Sequence, residues 1–177
     1  TIPVRYGIRV ATLGYAVPGL VLATGALVPL TLIDHWLATQ FESINSLLIT
    51  GSVAGLVFVY IARFMTVSFN SLHGGMGQIH PSLDAAARTL GASPVRLFGR
   101  VHLPILKSTI AYAGLLTFID VIKELPATLI MRPFNFETLA PREYRLAADE
   151  RLPEASTAAL LILALSLIPT LLLTRRQ

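Results

Sequence analysis

The sequence contains no cysteine and few charged residues. The absence of cysteine excludes disulfide bonds and thiolate metal sites. Charged residues make up 14% of the 177 residues and apolar residues 54%, whereas a soluble domain carries roughly a quarter charged residues. The net charge of +4 is modest, and the basic residues flank apolar stretches rather than forming one stripe. Nucleic acid is therefore not expected as a partner.

Three stretches lack charged residues altogether, and each is long enough for a helix to cross a bilayer. They are residues 10–33, 43–62 and 155–174, and about 20 apolar residues span the hydrocarbon core. Three such stretches leave too little polar chain to enclose them as buried helices of a soluble protein. A further span, residues 106–131, is the third in chain order, and the stretch 155–174 is then the fourth. The third span is predicted as one helix with charges toward one end and a kink at Pro126. The sequence therefore predicts an integral membrane protein.

The distribution of lysine and arginine predicts the orientation. Four spans place both termini on one side, together with a middle loop over residues 63–106 that Arg63 opens. Nine of the 14 basic residues lie on that side when Lys107, next to the loop, is included, and five lie on the other. Because basic residues concentrate in cytoplasmic segments, both termini and the middle loop are predicted to be cytoplasmic. Residues 132–153 are predicted to form an external loop.

The middle loop has the pattern of two short helices. Pro81 and Ser82 are typical of a helix start, with Ser82 as the expected cap, and Gly91 is typical of a left-handed helix end. Ser93 and Pro94 then favour a second helix, with Ser93 as the cap and Pro94 at the first helical position. From the residues alone, two interpretations stay open: an interfacial linker lying on anionic lipid, or a docking element for another protein.

The spacing of this loop resembles a known signature. Two small residues follow an acidic position, a glycine lies four positions beyond them, and I-x-L-P follows after nine more residues. The pattern resembles the cytoplasmic signature of permease subunits of binding-protein-dependent ABC importers of type I, which have the MetI-like fold. The matching residues here are Asp84, Ala85, Ala86, Ala87, Gly91, Val101, Leu103 and Pro104. The family's usual glutamate falls at Ala85, so an acidic contact to the ATPase is expected to be missing or shifted to Asp84.

The resemblance extends over nearly the whole chain. Residues 13–30, 68–93 and 118–156 are similar to the C-terminal half of ferric-iron importer permeases. The resemblance implies an all-α membrane fold with about four transmembrane helices and a cytoplasmic helix–turn–helix coupling loop. Residues 1–177 would form a single permease domain. One signature loop is present and no internal repeat is visible, so the chain is expected to be the last four spans of a longer permease.

The resemblance also implies the partners. These would be a dimeric ABC ATPase, an extracytoplasmic substrate-binding protein and a second permease half, fused or separate, in a bacterial inner membrane. ATP would be used by the partner subunit, and no cofactor is expected on this chain, which would be a transport subunit rather than an enzyme. Ferric iron is the expected substrate, while related permeases carry thiamine, phosphonates or oxyanions.

Two other patterns are weaker. The glycines of residues 73–80 match no phosphate-binding loop, and a flexible turn before the docking helix is expected there. The four histidines lack a carboxylate that would complete a metal site, and the glycines between His73 and His80 argue against a helix that would align them.

A charged cluster near the end of the third span has two interpretations. Asp120 and Glu124 are four positions apart, which would place them on one helix face, with Lys123 near enough to neutralise one of them. Together with Pro126 they are candidates for a translocation path or outer gate, because ionisable residues at membrane depth usually face a water-filled path and carboxylates suit a hard cation. The alternative is an ion-paired helix end at the outer surface.

The external loop carries a candidate contact surface. Phe134 and Phe136 are predicted to form an aromatic surface, followed by a short charged helix that includes Arg142. By resemblance, this region would receive the substrate-binding protein; the alternative is a solvated loop lying on headgroups. A secondary transporter or membrane anchor without an ATPase is the competing class of function. A secondary transporter would show paired broken helices, and the sequence has one proline-broken span.

Overall fold

The computed structural model describes residues 12–41 and 48–174, and within these ranges every regular element is a helix. The long helices are α1 (Gly19–Gln40), α2 (Val53–Gly77), α5 (Leu103–Ile122) and α8 (Leu152–Thr174). The short helices are α3 (Pro81–Thr89), α4 (Pro94–Leu97), α6 (Pro126–Met131) and α7 (Leu139–Ala148). A π-helical turn, Phe98–His102, joins α4 to α5, so that residues 94–122 form one continuous rod.

Four helices of the described part are long and apolar enough to cross a membrane. The clearest is α8, because only 11% of the residues in its most apolar stretch are buried within the protein. Its leucines point outward on all sides: Leu160, Leu161, Leu163, Leu165, Leu167, Leu171 and Leu172. A helix that is apolar all round is buried in a large core or surrounded by lipid, and here the protein does not cover it. The prediction of an all-α membrane protein is confirmed.

The core lies where α1, α2 and α6 meet. Its buried side chains are Ala23, Leu30, Leu56, Val59, Ala127 and Met131. Small residues allow close approach, as is usual between membrane helices. Gly75 shows this where α2 crosses α5, because a Cβ atom there would lie 2.7 Å from Thr109 Cγ2 and 3.0 Å from Leu106 Cδ2.

The first span differs from the prediction of residues 10–33. Within the described part, residues 12–17 form a turn beside α2, where Thr66 Oγ1 donates a hydrogen bond to the carbonyl oxygen of Thr12 at 3.1 Å. The helix begins only after Pro18 and continues through Asp34 to Gln40.

Asp34 does not end α1 because the fold satisfies its carboxylate. The backbone N–H groups of Leu48, Ile49 and Thr50 donate to it at 3.1, 2.8 and 2.8 Å. A buried carboxylate needs such donors. The uncharged stretch therefore marked the wrong boundaries for α1.

The second span is also displaced from its predicted range, residues 43–62. Residues 42–47 lie outside the described part, and α2 runs from Val53 to Gly77. The predicted flexible turn over residues 73–80 is wrong for its first half, because the glycines at 74, 75 and 77 are helical. His73 is helical too and stacks on Phe69, with ring centroids 5.7 Å apart.

The third predicted span, residues 106–131, is two helices rather than one kinked helix. Helix α5 ends at Ile122, and α6 starts at Pro126. Proline fits the first helical position because its missing N–H would have no partner there. Pro126 therefore marks a complete break. The fourth span begins at Leu152, three positions before the predicted 155. The short charged helix predicted after Phe136 is present as α7.

Candidate functional site

The middle loop forms a fixed helix–turn–helix. The N–H of Gly91 donates to Arg88 O at 2.9 Å, and the N–H of Ala92 donates to Ala87 O at 3.0 Å. These two bonds make a Schellman motif, whose penultimate position needs a left-handed residue. Gly91 supplies it with φ of 79°. The predicted helix end at Gly91 is confirmed.

The starts of the two loop helices agree with the prediction only in part. The prediction that Ser82 caps α3 is wrong, since Pro81 is already helical and His80 is the cap, its Nδ1 accepting from the N–H of Ser82 at 3.2 Å. The start of α4 is as predicted. Ser93 Oγ accepts from the N–H of Arg96 at 3.4 Å, with Pro94 at the first helical position.

The signature residues are spread along the whole loop. Ala85 and Ala86 are exposed on α3 and Ala87 is half-buried, whereas Val101 lies in the π-helical turn and Leu103 and Pro104 open α5. The apolar residues at the tip are well exposed. Leu90 is 87% exposed and Val95 is 83% exposed, one on each side of Gly91. The loop therefore presents an apolar tip on a rigid turn.

Asp84 faces inward toward the base of the third span. Its Oδ1 lies 2.7 Å from Nε2 of His102, with side chains 34% and 11% exposed respectively. The pair borders an open groove of about 390 Å³ that also includes Met76, Ile79 and Arg88. The spacing of the signature gave no indication of this contact, because its two residues are 18 positions apart.

The charged cluster at the end of α5 separates into two ion pairs. Lys123 Nζ lies 2.9 Å from Asp120 Oδ1, and the hydroxyl of Tyr15 donates to Asp120 Oδ2 at 3.4 Å. Glu124 lies beyond the end of α5 and pairs instead with Arg63 at 3.2 Å. The prediction that Asp120 and Glu124 share one helix face is wrong, because the helix ends between them.

Arg63 lies near the middle of α2 rather than in a cytoplasmic loop as predicted. At 1.5 Å per residue it is about 15 Å along the axis from Val53. The Arg63–Glu124 pair therefore lies beside the interior of a helix that is long and apolar enough to cross a membrane. The location of Glu124 at the outer surface stays a prediction. Without Arg63, eight lysines and arginines remain on the predicted cytoplasmic side and five on the other side. The excess of basic residues therefore predicts the same orientation.

Backbone groups complete the surroundings of this pair. Arg63 Nη1 donates to the carbonyl oxygen of Val17 at 3.0 Å, and the N–H of Ala127 donates to Glu124 Oε1 at 3.0 Å. The Nε–H of Arg63 is not aimed well enough at the carboxylate for a hydrogen bond, so charge attraction holds that contact. Gly19 lies against both side chains, since a Cβ atom there would be 2.6 Å from Glu124 Oε1. A lone arginine within a long apolar stretch was the signal that sequence reasoning missed.

The predicted aromatic surface consists of one ring rather than two. Residues 133–136 form a tight turn in which the N–H of Phe136 donates to Pro133 O at 3.1 Å and Asn135 has φ of 62°. The two rings on this turn have different surroundings. Phe134 is 95% exposed, whereas Phe136 packs against the core cluster.

A carboxylate bridge fixes the segment behind Phe134. Glu137 accepts from Arg132 Nη1 at 3.2 Å and from Arg145 Nη2 at 2.9 Å, which joins the end of α6 to α7. Arg142 is exposed on α7 and borders two open grooves, of about 420 and 700 Å³, which Glu137 also lines. Phe134 and Arg142 are therefore presented on a braced surface.

These features define a class of protein: a multi-span α-helical membrane protein with a rigid helix–turn–helix loop and a braced segment at the opposite end of the third span. A family model described as binding-protein-dependent transport system inner membrane component matches residues 7–177. The chain belongs to this family, and it is a multi-pass inner membrane protein.

Several curated relatives are similar to the chain. It is 27% identical over 167 residues to the Fe(3+)-transport system permease protein FbpB 2 of Haemophilus influenzae, covering 94% of this chain and 31% of that protein. It is 34% identical over 77 residues to the molybdate/tungstate transport system permease protein WtpB of Methanocaldococcus jannaschii, covering 44% of this chain and 31% of the relative. The maltose/maltodextrin transport system permease protein MalG of Escherichia coli K12 is 34% identical over 87 residues, covering 49% of this chain and 29% of the relative. The chain thus spans about a third of the length of these relatives.

Proposed function

We propose that this chain forms part of the membrane-spanning permease of an ABC importer. In this proposal a separate dimeric ATPase binds and hydrolyses ATP beneath the loop within residues 63–106, and the chain binds no cofactor itself. Both termini and this loop face the cytoplasm. A second permease half, fused or separate, completes the translocation path. The chain is then a transport subunit and not an enzyme.

The construction of the middle loop carries this proposal. Its apolar tip at Leu90 and Val95 is exposed, and its turn is fixed by two backbone bonds at Gly91. From the tip, α4, the π-helical turn and α5 run as one rod into the membrane. A movement imposed on the tip by closing ATPase subunits would therefore rotate or shift the third span as a rigid body. A linker lying on lipid would need no such rigid connection.

The external segment is the proposed contact for a substrate-binding protein. Phe134 offers a nearly fully exposed ring and Arg142 a charge beside it. Exposed aromatic rings and arginines are the residues that most often dominate protein interfaces. The Glu137 bridge supports this role, because a braced surface loses little conformational freedom on binding.

The break between α5 and α6 is proposed as the outer gate of the path. It includes Lys123, Glu124 and the start of α6 at Pro126, with Asp120 one turn earlier. Each carboxylate has a cation of its own, Lys123 for Asp120 and Arg63 for Glu124. Such neutralised carboxylates would let a cation pass without holding it tightly.

Ferric iron is the proposed substrate. The support comes from relatives named for Fe(3+) or ferric transport, one of which aligns with 94% of this chain. Thiamine, a phosphonate or an oxyanion is the competing type of substrate, and the molybdate/tungstate relative favours an oxyanion among these. Uptake into proteoliposomes of ⁵⁵Fe(III) and of ⁹⁹Mo-molybdate, each delivered by its candidate binding protein, separates the two.

The central test is purification of the full-length protein from its native membrane. The expected result is co-purification of an ATPase subunit whose ATP hydrolysis in nanodiscs rises when loaded binding protein is added. Uptake that is driven by an ion gradient, with no ATPase bound, would instead establish a secondary transporter. Binding of other proteins without any uptake would establish a membrane anchor.

A further inference from the structure

We infer that Asp84 is a positioning residue that fixes α3 to the base of the third span through His102, and that it is not a contact to the ATPase. This inference rests on the proposed function, since it concerns how the loop passes movement to α5. It also assigns a role to the one acidic side chain of the loop, which the loss of the usual glutamate at Ala85 had left open.

The contact between the two side chains is short and sheltered. Nε2 of His102 lies 2.7 Å from Oδ1 of Asp84, and the His102 side chain is 11% exposed. An ionised carboxylate can only accept a hydrogen bond, so Nε2 must carry the proton and donate. Hydrogen bonds to charged groups are the stronger ones in proteins. The carboxylate that could have faced a partner is thus engaged within the loop.

The π-helical turn helps to orient His102. The N–H of Leu103 donates to Phe98 O, five positions earlier, and His102 is the last residue of this turn. Such a turn inserts one extra residue, which rotates the faces of the following helix by about 100° relative to an unbroken α-helix. The ring also contacts Phe98 edge-on, with centroids 6.4 Å apart. Contacts within its own helix therefore orient the His102 ring, independently of its bond to α3.

Packing holds α3 only weakly. All nine residues of α3 are described, and none of them is fully buried, although Asp84 and Ala87 are half-buried. The chain connects α3 to α2 through residues 78–80 and to α4 through the turn at residues 90–93, whose two backbone bonds set the direction in which α3 leaves the turn. The Asp84–His102 bond adds a direct link from α3 to the base of α5. Because of it, α3 and α5 must move together.

The loop offers a partner no second carboxylate but apolar groups and basic ones, the latter at Arg88, Arg96 and Arg100. Leu90 and Val95 at the tip are more than four-fifths exposed, and Ala85 stands where the family's glutamate would be. A partner groove that receives this tip would thus meet methyl groups rather than a carboxylate. Loss of the Asp84 carboxylate should then impair coupling while leaving attachment intact.

A double-mutant cycle in the full-length complex tests this inference. Asp84→Ala, His102→Ala and the double variant are compared for ATPase co-purification and for stimulation of ATP hydrolysis by loaded binding protein. Each single variant should keep co-purification and lower stimulation about tenfold, the factor for loss of one such hydrogen bond. The double variant should lose no more than either single variant, because both remove the same interaction.

Conservative and neighbouring variants provide the controls. Asp84→Asn retains an oxygen that accepts from His102, so it should restore most of the stimulation. Arg88→Ala, one turn further along α3 in the same groove, should have no effect. Additive losses in the cycle, or loss of co-purification in Asp84→Ala and Asp84→Asn alike, would show a direct ATPase contact and overturn the inference.

A distance measurement separates this inference from the proposed function. Spin labels on Thr89→Cys and Lys107→Cys, both exposed positions, report the distance between α3 and α5 without any partner. The distribution should be narrow with Asp84 present and several-fold broader in Asp84→Ala. An unchanged distribution would overturn the positioning role. A broadened one in a protein that binds no ATPase would confirm the link between α3 and α5 while refuting the proposed function.

Discussion

Arg63 of α2 and Glu124 of the break after α5 form an ion pair at 3.2 Å, with side chains 17% and 6% exposed. The pair joins three parts of the chain, because Arg63 also donates to Val17 O just before α1. Two opposite charges in a region of low dielectric constant are tolerated when they neutralise each other. The first, second and third spans are thereby tied together at one level.

Neutralising one partner should destabilise the protein strongly. Glu124→Gln keeps an oxygen for the N–H of Ala127 but leaves Arg63 buried without a counter-charge, which should cost about 3–5 kcal/mol. Asp120→Asn is the matched control, since its partner Lys123 is 59% exposed and exposed pairs contribute about 1 kcal/mol or less. Thermal unfolding of the purified full-length protein in detergent measures both. Equal shifts in midpoint would show that the Arg63–Glu124 pair has no special structural role.

Gly19 should be sensitive to a single added methyl group. A Cβ atom there would lie 2.6 Å from Glu124 Oε1 and 2.8 Å from Arg63 Nη1, so Gly19→Ala must displace the ion pair, at about 1–3 kcal/mol. Gly25→Ala, in the same helix, meets nothing within 4 Å and should be neutral or slightly stabilising. The same unfolding assay compares them, and a harmless Gly19→Ala would refute the close packing.

Gly91 should be needed for its backbone conformation alone. Its φ is 79°, and a Cβ atom there would meet nothing within 4 Å. Gly91→Val should therefore cost about 1–2 kcal/mol of local strain and misdirect α3, with loss of binding-protein-stimulated ATP hydrolysis. Gly91→Asn should keep most of that activity, because asparagine tolerates the left-handed region. Normal coupling in Gly91→Val would reduce the loop to a membrane-surface linker.

The two ends of the third span should lie on opposite sides of the membrane. The chain has no cysteine, so Leu90→Cys and Phe134→Cys introduce single labels in a cysteine-free full-length background. Both positions are well exposed. An impermeant thiol reagent should label Phe134→Cys in intact cells and Leu90→Cys only in inverted vesicles. Labelling of both from one side would contradict the four-span topology.

Local signals in the sequence predicted local structure well. Ser93 with Pro94 starts α4, and Gly91 lies at the end of α3, as expected from backbone chemistry. Pro126 also interrupts the helix, but with a complete break rather than the predicted kink. These features depend on residues within one helical turn of each other. The family signature and the apolar stretches also predicted the fold class. The bilayer core offers no water to backbone N–H and C=O groups, and a helix satisfies these groups internally.

The helix boundaries failed where a distant partner satisfies a polar group. Asp34 continues α1 because backbone donors at residues 48–50 reach it, and Arg63 continues α2 because Glu124 neutralises it. Gly75 stays helical because α5 packs against it. In each case the stabilising contact comes from another element, and hydropathy along the chain does not record it.

Crosslinking from both ends of the third span tests the central claim most directly. A photo-reactive phenylalanine analogue replaces Leu90 or Phe134 in the full-length protein, irradiated in its native membrane. The account predicts that position 90 forms an adduct with an ATPase subunit, and position 134 with a soluble substrate-binding protein. Adducts with lipid alone at position 90, or with the same partner at both positions, would contradict it.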